Sequence, residues 1–178
     1  MASAAIERLL EPDYLGDLQA RPIDEIRSMR AECQGVEVGL SYLRRLAQGR
    51  LDIVADELRR RTDGSEPSDM AGLVERLPSI LAEHVTSPGP GRLPTFFDPG
   101  DLEALSAQLD AIVDTAVLTS LPELSDDEVR AVMIRLTDLE QAVSGQRRAL
   151  HETIDALQAE LTRRYKTGEA TVESLYRR

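Results

Sequence analysis

The sequence predicts an all-α protein, built as an antiparallel coiled-coil hairpin of two long helices with a shorter helical segment inserted between them. Two stretches, at 24–62 and 125–166, space their apolar residues alternately by three and four positions, as a coiled-coil seam does. The second stretch repeats polar and charged residues of the first at a constant offset of 103 positions. Two related copies joined by a long connection favour a pseudo-symmetric hairpin over a solenoid, which needs more repeats at a shorter period.

Breaks in the helical pattern divide the chain of 178 residues into five segments. The first segment is interrupted by Pro12 and Pro22, and its apolar residues Leu15, Leu18 and Ile23 predict a short arm that packs on the hairpin. The segments are an N-terminal arm at 1–23, the first long helix at 24–62, a connecting segment at 63–124, the second long helix at 125–166 and a C-terminal tail at 167–178.

The first long helix is predicted from an apolar seam that keeps its alternating spacing as far as Ala47, where Arg50 follows as an interruption. Cys33 is the single cysteine of the sequence and lies in this seam. We therefore expect a buried thiol, with no internal disulfide and no cysteine metal cluster. The seam consists of Ile26, Met29, Cys33, Val36, Leu40, Leu43, Ala47, Val54 and Leu58.

The connecting segment begins with a break at 62–68, where Gly64 and Pro67 disfavour helix. Residues 69–85 again follow a helical pattern but contain Pro78, which predicts either a kink or two short helices. The apolar positions of this stretch are expected to be buried. They are Met70, Leu73, Leu77, Ile80 and Leu81.

A loop rich in proline and glycine is predicted at 86–94. After it, Asp98-Pro99 is typical of an N-cap and a first helical residue, which predicts a helix from there to about residue 118. The pair Phe96-Phe97 between the two is compatible with an anchor for a partner protein or with a cover for the hairpin. The residues favour neither role.

The second long helix has a clear start, because Ser125 and Glu128 have the spacing of a capping box. Its seam weakens only at Gln146 and Thr153. The apolar seam residues are Val129, Val132, Leu136, Leu139, Val143, Leu150, Leu157 and Leu161.

A polar motif occurs once in each long helix, with the spacing Glu-x3-Ser-x2-Arg-x3-(Gln/His)-x3-Asp. Steps of four and three residues return to one side of a helix, so each copy forms a polar stripe about 80° wide and roughly 22 Å long. Both stripes occupy heptad positions e, b, e, b and f, so they lie beside the seam. Antiparallel pairing of the helices could bring the stripes to one side of the hairpin or place them on its two flanks. The copies are Glu37, Ser41, Arg44, Gln48 and Asp52, and Glu140, Ser144, Arg147, His151 and Asp155.

The residue types of the polar stripes suit a guanine nucleotide. A carboxylate can accept both N–H groups of the guanine Watson–Crick edge, and an arginine can donate to O6 and N7 of the other edge. Arginine also binds phosphate, with support from serine, glutamine or histidine. A ligand that carries two guanines and two phosphates would use this set twice.

The doubled motif resembles the signature of the RsiG family of actinobacterial anti-sigma factors, which hold the sporulation sigma factor WhiG in a complex that depends on cyclic di-GMP. The resemblance covers both long helices. The first copy has the full pattern, whereas the second has His151 in place of glutamine. The resemblance implies an antiparallel coiled coil that binds two stacked cyclic di-GMP molecules at its interface with the sigma factor. All ten motif residues would take part in this binding.

The resemblance also implies a switch. At high cyclic di-GMP the WhiG-like sigma factor is withheld from RNA polymerase, and it is released for sporulation genes when the nucleotide falls. Arg44 and Arg147 would read guanine or phosphate, with Arg45, Arg50 and Arg148 as further cations nearby. The four motif carboxylates would accept guanine N–H groups.

Composition argues against several other classes of function. A net charge of −11 disfavours direct nucleic-acid binding, which relies on Lys and Arg, and 3% aromatic residues do not provide a stacking surface for single strands. The sequence begins without a signal-peptide pattern and has no membrane-spanning run, so we expect a cytoplasmic protein. We expect no metal cofactor.

Two rival functions differ in class. An enzyme is disfavoured because the two histidines, His84 and His151, lie in no Glu-x-x-His pair, and the sequence has no phosphate loop or nucleophile elbow. A helical scaffold or oligomerisation module without a small-molecule ligand is the alternative that remains. Polar residues three or four apart are ordinary on a solvated helix, and shared ancestry alone can explain their repetition.

Overall fold

The computed structural model describes residues 2–64, 70–82 and 106–169. This part of the chain folds into α-helices and short 3-10 turns, with no strand. The predicted all-α hairpin is therefore confirmed. The helices are α1 (Ala2–Leu9), α2 (Ile23–Thr62), α3 (Met70–Ala82), α4 (Thr115–Ser120) and α5 (Asp126–Thr167), with 3-10 turns at Pro12–Leu15 and Leu121–Glu123.

The two long helices, α2 and α5, pack antiparallel through the predicted seam. Arg61 near the end of α2 pairs with Asp126 at the start of α5, at 2.8 Å, and Arg27 near the start of α2 contacts Tyr165 near the end of α5. The seam forms most of the core, and Val36, Leu58 and Leu139 pack at its margin, partly exposed. Its fully covered side chains include Ile26, Cys33, Leu40, Val54, Val129, Leu136, Leu150 and Leu157.

The start and end of α5 are set by local sequence. The Ser125 side chain accepts the backbone N–H of Glu128, and the Glu128 carboxylate accepts the backbone N–H of Ser125 at 2.7 Å, as the capping box predicts. The helix ends at Gly168, whose φ of 77° is a left-handed conformation that glycine adopts without steric cost.

Each end of the hairpin is closed by a Glu-x2-Arg-Arg element, which we call an end clasp. In the clasp on α2, Glu57 accepts hydrogen bonds from Arg60 at 2.6 Å and from Arg61 at 2.7 Å. Arg61 also donates to the Leu121 carbonyl at 2.7 Å, just before α5 begins. The clasp therefore joins the end of one long helix to the segment that leads into the other.

The clasp on α5 repeats this arrangement at the opposite end. Glu160 accepts from Arg163 and from Arg164, the latter at 2.7 Å. Arg164 also donates to the carbonyls of Leu18 at 2.6 Å and Arg21 at 2.8 Å, just before α2 begins. Leu18 and Leu121 are separated by the same 103 positions as Arg61 and Arg164. The pseudo-two-fold symmetry therefore extends into the segments that precede both long helices.

The N-terminal arm contains a helix, α1, that the sequence analysis did not predict. Ile6 and Leu9 of α1 are buried in the core, and Arg8 pairs with Glu32 of α2. The Tyr14 hydroxyl lies 3.8 Å from the thiol of Cys33, which is fully buried as expected. The arm therefore packs against both long helices near the clasp on α5.

The prediction of a continuous helix to about residue 118 is wrong. Residues 106–110 are helical, but the chain turns at 111–113, and α4 begins after Asp114, whose side chain accepts from the Val117 N–H at 2.8 Å. Asp114 thus caps a new helix. Arg50 holds the turn in place, because its guanidinium donates to Asp110 at 2.6 Å and to the Val113 carbonyl.

In the first part of the connecting segment, α3 continues through Pro78 as one helix. The alternative of two short helices is therefore wrong. Pro78 is exposed, and Arg76 fixes α3 on α2 through an ion pair with Asp56. Leu77 and Ile80 are half-buried rather than buried. Other predictions for this segment lie outside the described residues. They concern the side chains of Met70, Leu73 and Leu81, His84, the loop at 86–94, Phe96-Phe97 and Asp98-Pro99.

Candidate ligand site

The polar stripes of α2 and α5 meet across the seam and form two clusters of four side chains. In the first, which we call the Glu37 half-site, Glu37 Oε1 accepts from Ser41 Oγ at 2.7 Å on its own helix. From α5, Arg147 Nε donates to the same oxygen at 3.0 Å, and His151 Nε2 lies 3.2 Å from it.

The second cluster, the Glu140 half-site, has the same plan with the helices exchanged. Glu140 Oε1 accepts from Ser144 Oγ at 2.8 Å on α5. From α2, Gln48 Nε2 donates to that oxygen at 3.4 Å, and the Arg44 guanidinium forms an ion pair with it at 3.8 Å. Each half-site therefore takes its carboxylate and hydroxyl from one helix and its arginine and its amide or imidazole from the other.

Antiparallel pairing explains why the motif residues meet. Heptad positions e and b lie on one flank of each helix, and the antiparallel partner presents its own e and b positions along the same groove. Contacts from Glu37 to Arg147 and from Glu140 to Arg44 run in opposite senses across the seam. Both stripes consequently lie on the same side of the hairpin, which decides between the two arrangements that the sequence allows.

Glu37 is held as a carboxylate in a largely enclosed position. Its side chain is 12% exposed, and burial alone would raise its pKa. Hydrogen bonds from Ser41 and Arg147, together with electrostatic interactions with His151 and Arg147, outweigh burial and lower the pKa of Glu37 below its usual value. An ionised carboxylate accepts hydrogen bonds and donates none.

Each half-site keeps hydrogen-bonding groups that the described residues do not occupy. All contacts to Glu37 and Glu140 fall on Oε1, and within the described chain Oε2 of either carboxylate accepts no hydrogen bond. Arg147 likewise uses Nε, so its two terminal NH2 groups have no hydrogen-bond partner among these residues. The half-sites therefore hold carboxylate acceptors and guanidinium donors close together that no described residue occupies.

The structure places the two motif aspartates outside the half-sites. Asp155 is exposed on α5, whereas Asp52 is half-buried where α3 packs against α2. Arg45 and Arg148 are exposed on their helices. Asp52 lines a cavity of about 180 Å³ together with Ala55, Asp56, Arg59, Ser79 and Ile80.

In the part of the chain that the structure describes, no group of three or more His, Cys, Asp or Glu side chains could hold a metal ion. No helix among those described has the length and apolarity needed to cross a membrane.

Comparison with known proteins identifies the family of this chain. A family model described as RsiG-like matches residues 12–81 and 115–178, which is most of the chain. The chain belongs to the RsiG-like family. Both long helices, both half-sites and both end clasps of this RsiG-like protein lie within the matched residues, and the stretch 82–114 lies outside them. The family is one of regulatory anti-sigma factors and is not a class of enzymes. A search of curated proteins gave no match to the chain.

The end clasps are the charged groups whose role sequence reasoning missed in this RsiG-like protein. The repetition of Glu57, Arg60 and Arg61 at the common offset was the available signal. It did not reveal that both second arginines bind carbonyls near the start of the opposite long helix, because those partners are 60 and 146 positions away.

Proposed function

We propose that this RsiG-like protein is an anti-sigma factor that binds cyclic di-GMP through its two half-sites and withholds a WhiG-like sporulation sigma factor from RNA polymerase until the nucleotide falls. One observation carries the proposal. Two chemically matching half-sites are related by a pseudo-two-fold axis on one side of the hairpin. Cyclic di-GMP is itself two-fold symmetric and presents each kind of recognition group twice, so ligand and site share a symmetry.

The open groups of each half-site suit the ligand. Oε2 of Glu37 or Glu140 is available to accept from the guanine N1–H and N2–H groups, and the arginine beside it can donate to O6 and N7 or to phosphate. The aspartates Asp52 and Asp155 lie one helical turn beyond Gln48 and His151. They would meet the second guanine of a ligand that extends along the groove.

Charge balance supports a complex in which the nucleotide bridges two proteins. Two cyclic di-GMP molecules bring four negative charges to a chain whose net charge is already −11. Arg44 and Arg147 neutralise part of this locally, and a basic surface on the sigma factor would supply the rest. A ligand that binds the complex more tightly than either free protein stabilises the complex in proportion to its concentration.

The proposal is tested by isothermal titration of cyclic di-GMP into the full chain, alone and with an added WhiG-like sigma factor. We expect binding that cyclic di-AMP does not reproduce, and a loss of about tenfold or more in affinity in Arg147→Ala, since a charge-assisted hydrogen bond contributes about 1.5–3 kcal/mol. Arg163→Ala is the matched control. Arg163 lies on the same helix as Arg147, and its side-chain exposure of 38% is comparable to that of Arg147, but it lies far from the half-sites.

A scaffold without a small-molecule ligand predicts a different result. In that case neither the free chain nor the sigma complex would release heat with cyclic di-GMP, and co-purification of the sigma factor would be the same with and without the nucleotide. Such an outcome would refute the switch while leaving the anti-sigma role of the family untouched. Sigma factors and cyclic di-GMP act in the cytoplasm, which is where the proposed function would be carried out.

A further inference from the structure

The two half-sites are not equivalent, because the arginines are held differently. Arg147 is anchored through Nε to Glu37 at 3.0 Å, which fixes the direction of its two terminal NH2 groups. Arg44 approaches Glu140 only to 3.8 Å, and its Nε is buried without a hydrogen-bond partner among the described residues. A donor that is already oriented loses less conformational entropy when it binds a ligand.

The half-sites also differ in one residue type. His151 occupies in the Glu37 half-site the position that Gln48 occupies in the Glu140 half-site, and each side chain reaches the facing carboxylate, at 3.2 Å and 3.4 Å. A glutamine amide is neutral at every pH. A histidine can donate from Nε2 in either protonation state, but it carries a positive charge only when both ring nitrogens are protonated.

The charged surroundings of His151 determine what its proton would do. From α2 the charged group that contacts it is the Glu37 carboxylate. On its own helix, Arg147 lies one turn before it and the exposed Asp155 one turn after it, with Glu152 adjacent and exposed. Among these side chains His151 carries the imidazole, which is the side-chain type whose charge generally responds to protonation near neutral pH.

We propose that the two half-sites bind nucleotide unequally: the Glu37 half-site is occupied first, and its affinity for an anionic ligand rises as pH falls because His151 gains a proton beside it. The inference rests on the proposed function, since it assigns different roles to the two halves of the same site. His151 thereby acts as a positioning and charge-tuning residue, and cytoplasmic acidification would strengthen the response to the nucleotide.

The experiment is a titration of cyclic di-GMP into the full chain, with the sigma factor present if the free chain requires it, at about pH 8 and about pH 6. At the lower pH we expect about three- to tenfold tighter binding in the parent protein, the size of one additional partly exposed charge. His151→Gln makes the half-sites chemically alike and should abolish the change. Gln48→His, its mirror image, should enlarge it, and His84→Gln is the control for the other histidine.

A second comparison tests the order of binding. Arg147→Ala should weaken the first binding event at least about threefold more than Arg44→Ala does, because it removes the anchored donor. Identical pH dependence in the parent and His151→Gln, or equal losses in the two arginine variants, would overturn the inference while leaving nucleotide binding intact. Absence of binding under every condition would instead refute the proposed function together with this extension of it.

Discussion

Replacing Arg164 with alanine tests whether the end clasps hold the hairpin together. The Arg164 side chain is 9% exposed and donates to Glu160 Oε1 at 2.7 Å. It also donates to the carbonyls of Leu18 at 2.6 Å and Arg21 at 2.8 Å, in the segment that leads into α2. Alanine would leave Glu160 with Arg163 as its cation and leave those carbonyls without their donor.

The expected loss follows from burial. Removing one member of a fully buried ion pair costs about 3–5 kcal/mol, and a hydrogen bond to a charged group contributes about 1.5–3 kcal/mol. Arg163 continues to neutralise Glu160, and water can reach part of the released backbone. We therefore expect Arg164→Ala to lower the free energy of unfolding by about 2–4 kcal/mol.

Arg163→Ala is a stringent control, because Arg163 is the same residue type, adjacent in sequence and bound to the same Glu160 carboxylate. Its side chain is 38% exposed, and solvent screens such an ion pair, so it contributes little to stability. Equilibrium urea unfolding followed by circular dichroism gives both values, provided that the dependence on urea concentration is unchanged between variants. Equal losses in the two variants, or a loss below about 0.5 kcal/mol in Arg164→Ala, would refute the clasp.

Three further predictions follow from other local features. Hydrogen bonds from Arg163 and Arg164 lower the pKa of Glu160 from 4.5 to about 2, so the unfolded chain binds more protons at this position than the folded chain does. This contribution to the free energy of unfolding is therefore lost as pH falls from about 4.5 to about 2. Acid titrations should show a shallower loss of stability in Glu160→Gln than in the parent. Ser125→Ala removes the side-chain half of the capping box and should cost about 0.5–2 kcal/mol in urea unfolding, with Ser125→Thr near the parent value. Burial raises the pKa of the Cys33 thiol and shields it from solvent. A thiol reagent at about pH 8 should therefore leave the folded protein unmodified and label one cysteine per chain in urea. Rapid labelling of the folded protein would contradict the packing of the arm over Cys33.

Hydrophobic periodicity was sufficient to predict the hairpin, because each seam residue reports its own environment through local spacing. Ile26, Leu40, Leu136 and Leu150 are all fully buried as their positions predict. The capping box at Ser125 was equally readable, since both partners lie within four residues of each other. Signals of this kind depend on a few consecutive residues and need no knowledge of the fold.

Features that depend on distant partners could not be read in the same way. Arg50 looks like an interruption of the seam, but it binds Asp110 and the Val113 carbonyl, about sixty positions away. That contact accompanies the turn at 111–113, which periodicity alone misses. For the candidate site, the stripe residues were predictable, but the pairing of Glu37 with Arg147 required the register of the two helices.

The register of the two long helices also explains why contacts at the ends of the hairpin affect the geometry of the half-sites between them. Each half-site combines the carboxylate of one helix with the arginine of the other, so neither long helix presents a complete half-site by itself. A slip of one helix along the other would separate both pairs at once. The clasps oppose such a slip, because Arg61 and Arg164 fix each helix end to the segment that precedes the opposite helix. Removing the contacts that Arg61 or Arg164 makes with those segments should therefore weaken nucleotide binding about equally in both half-sites, although neither arginine belongs to a half-site.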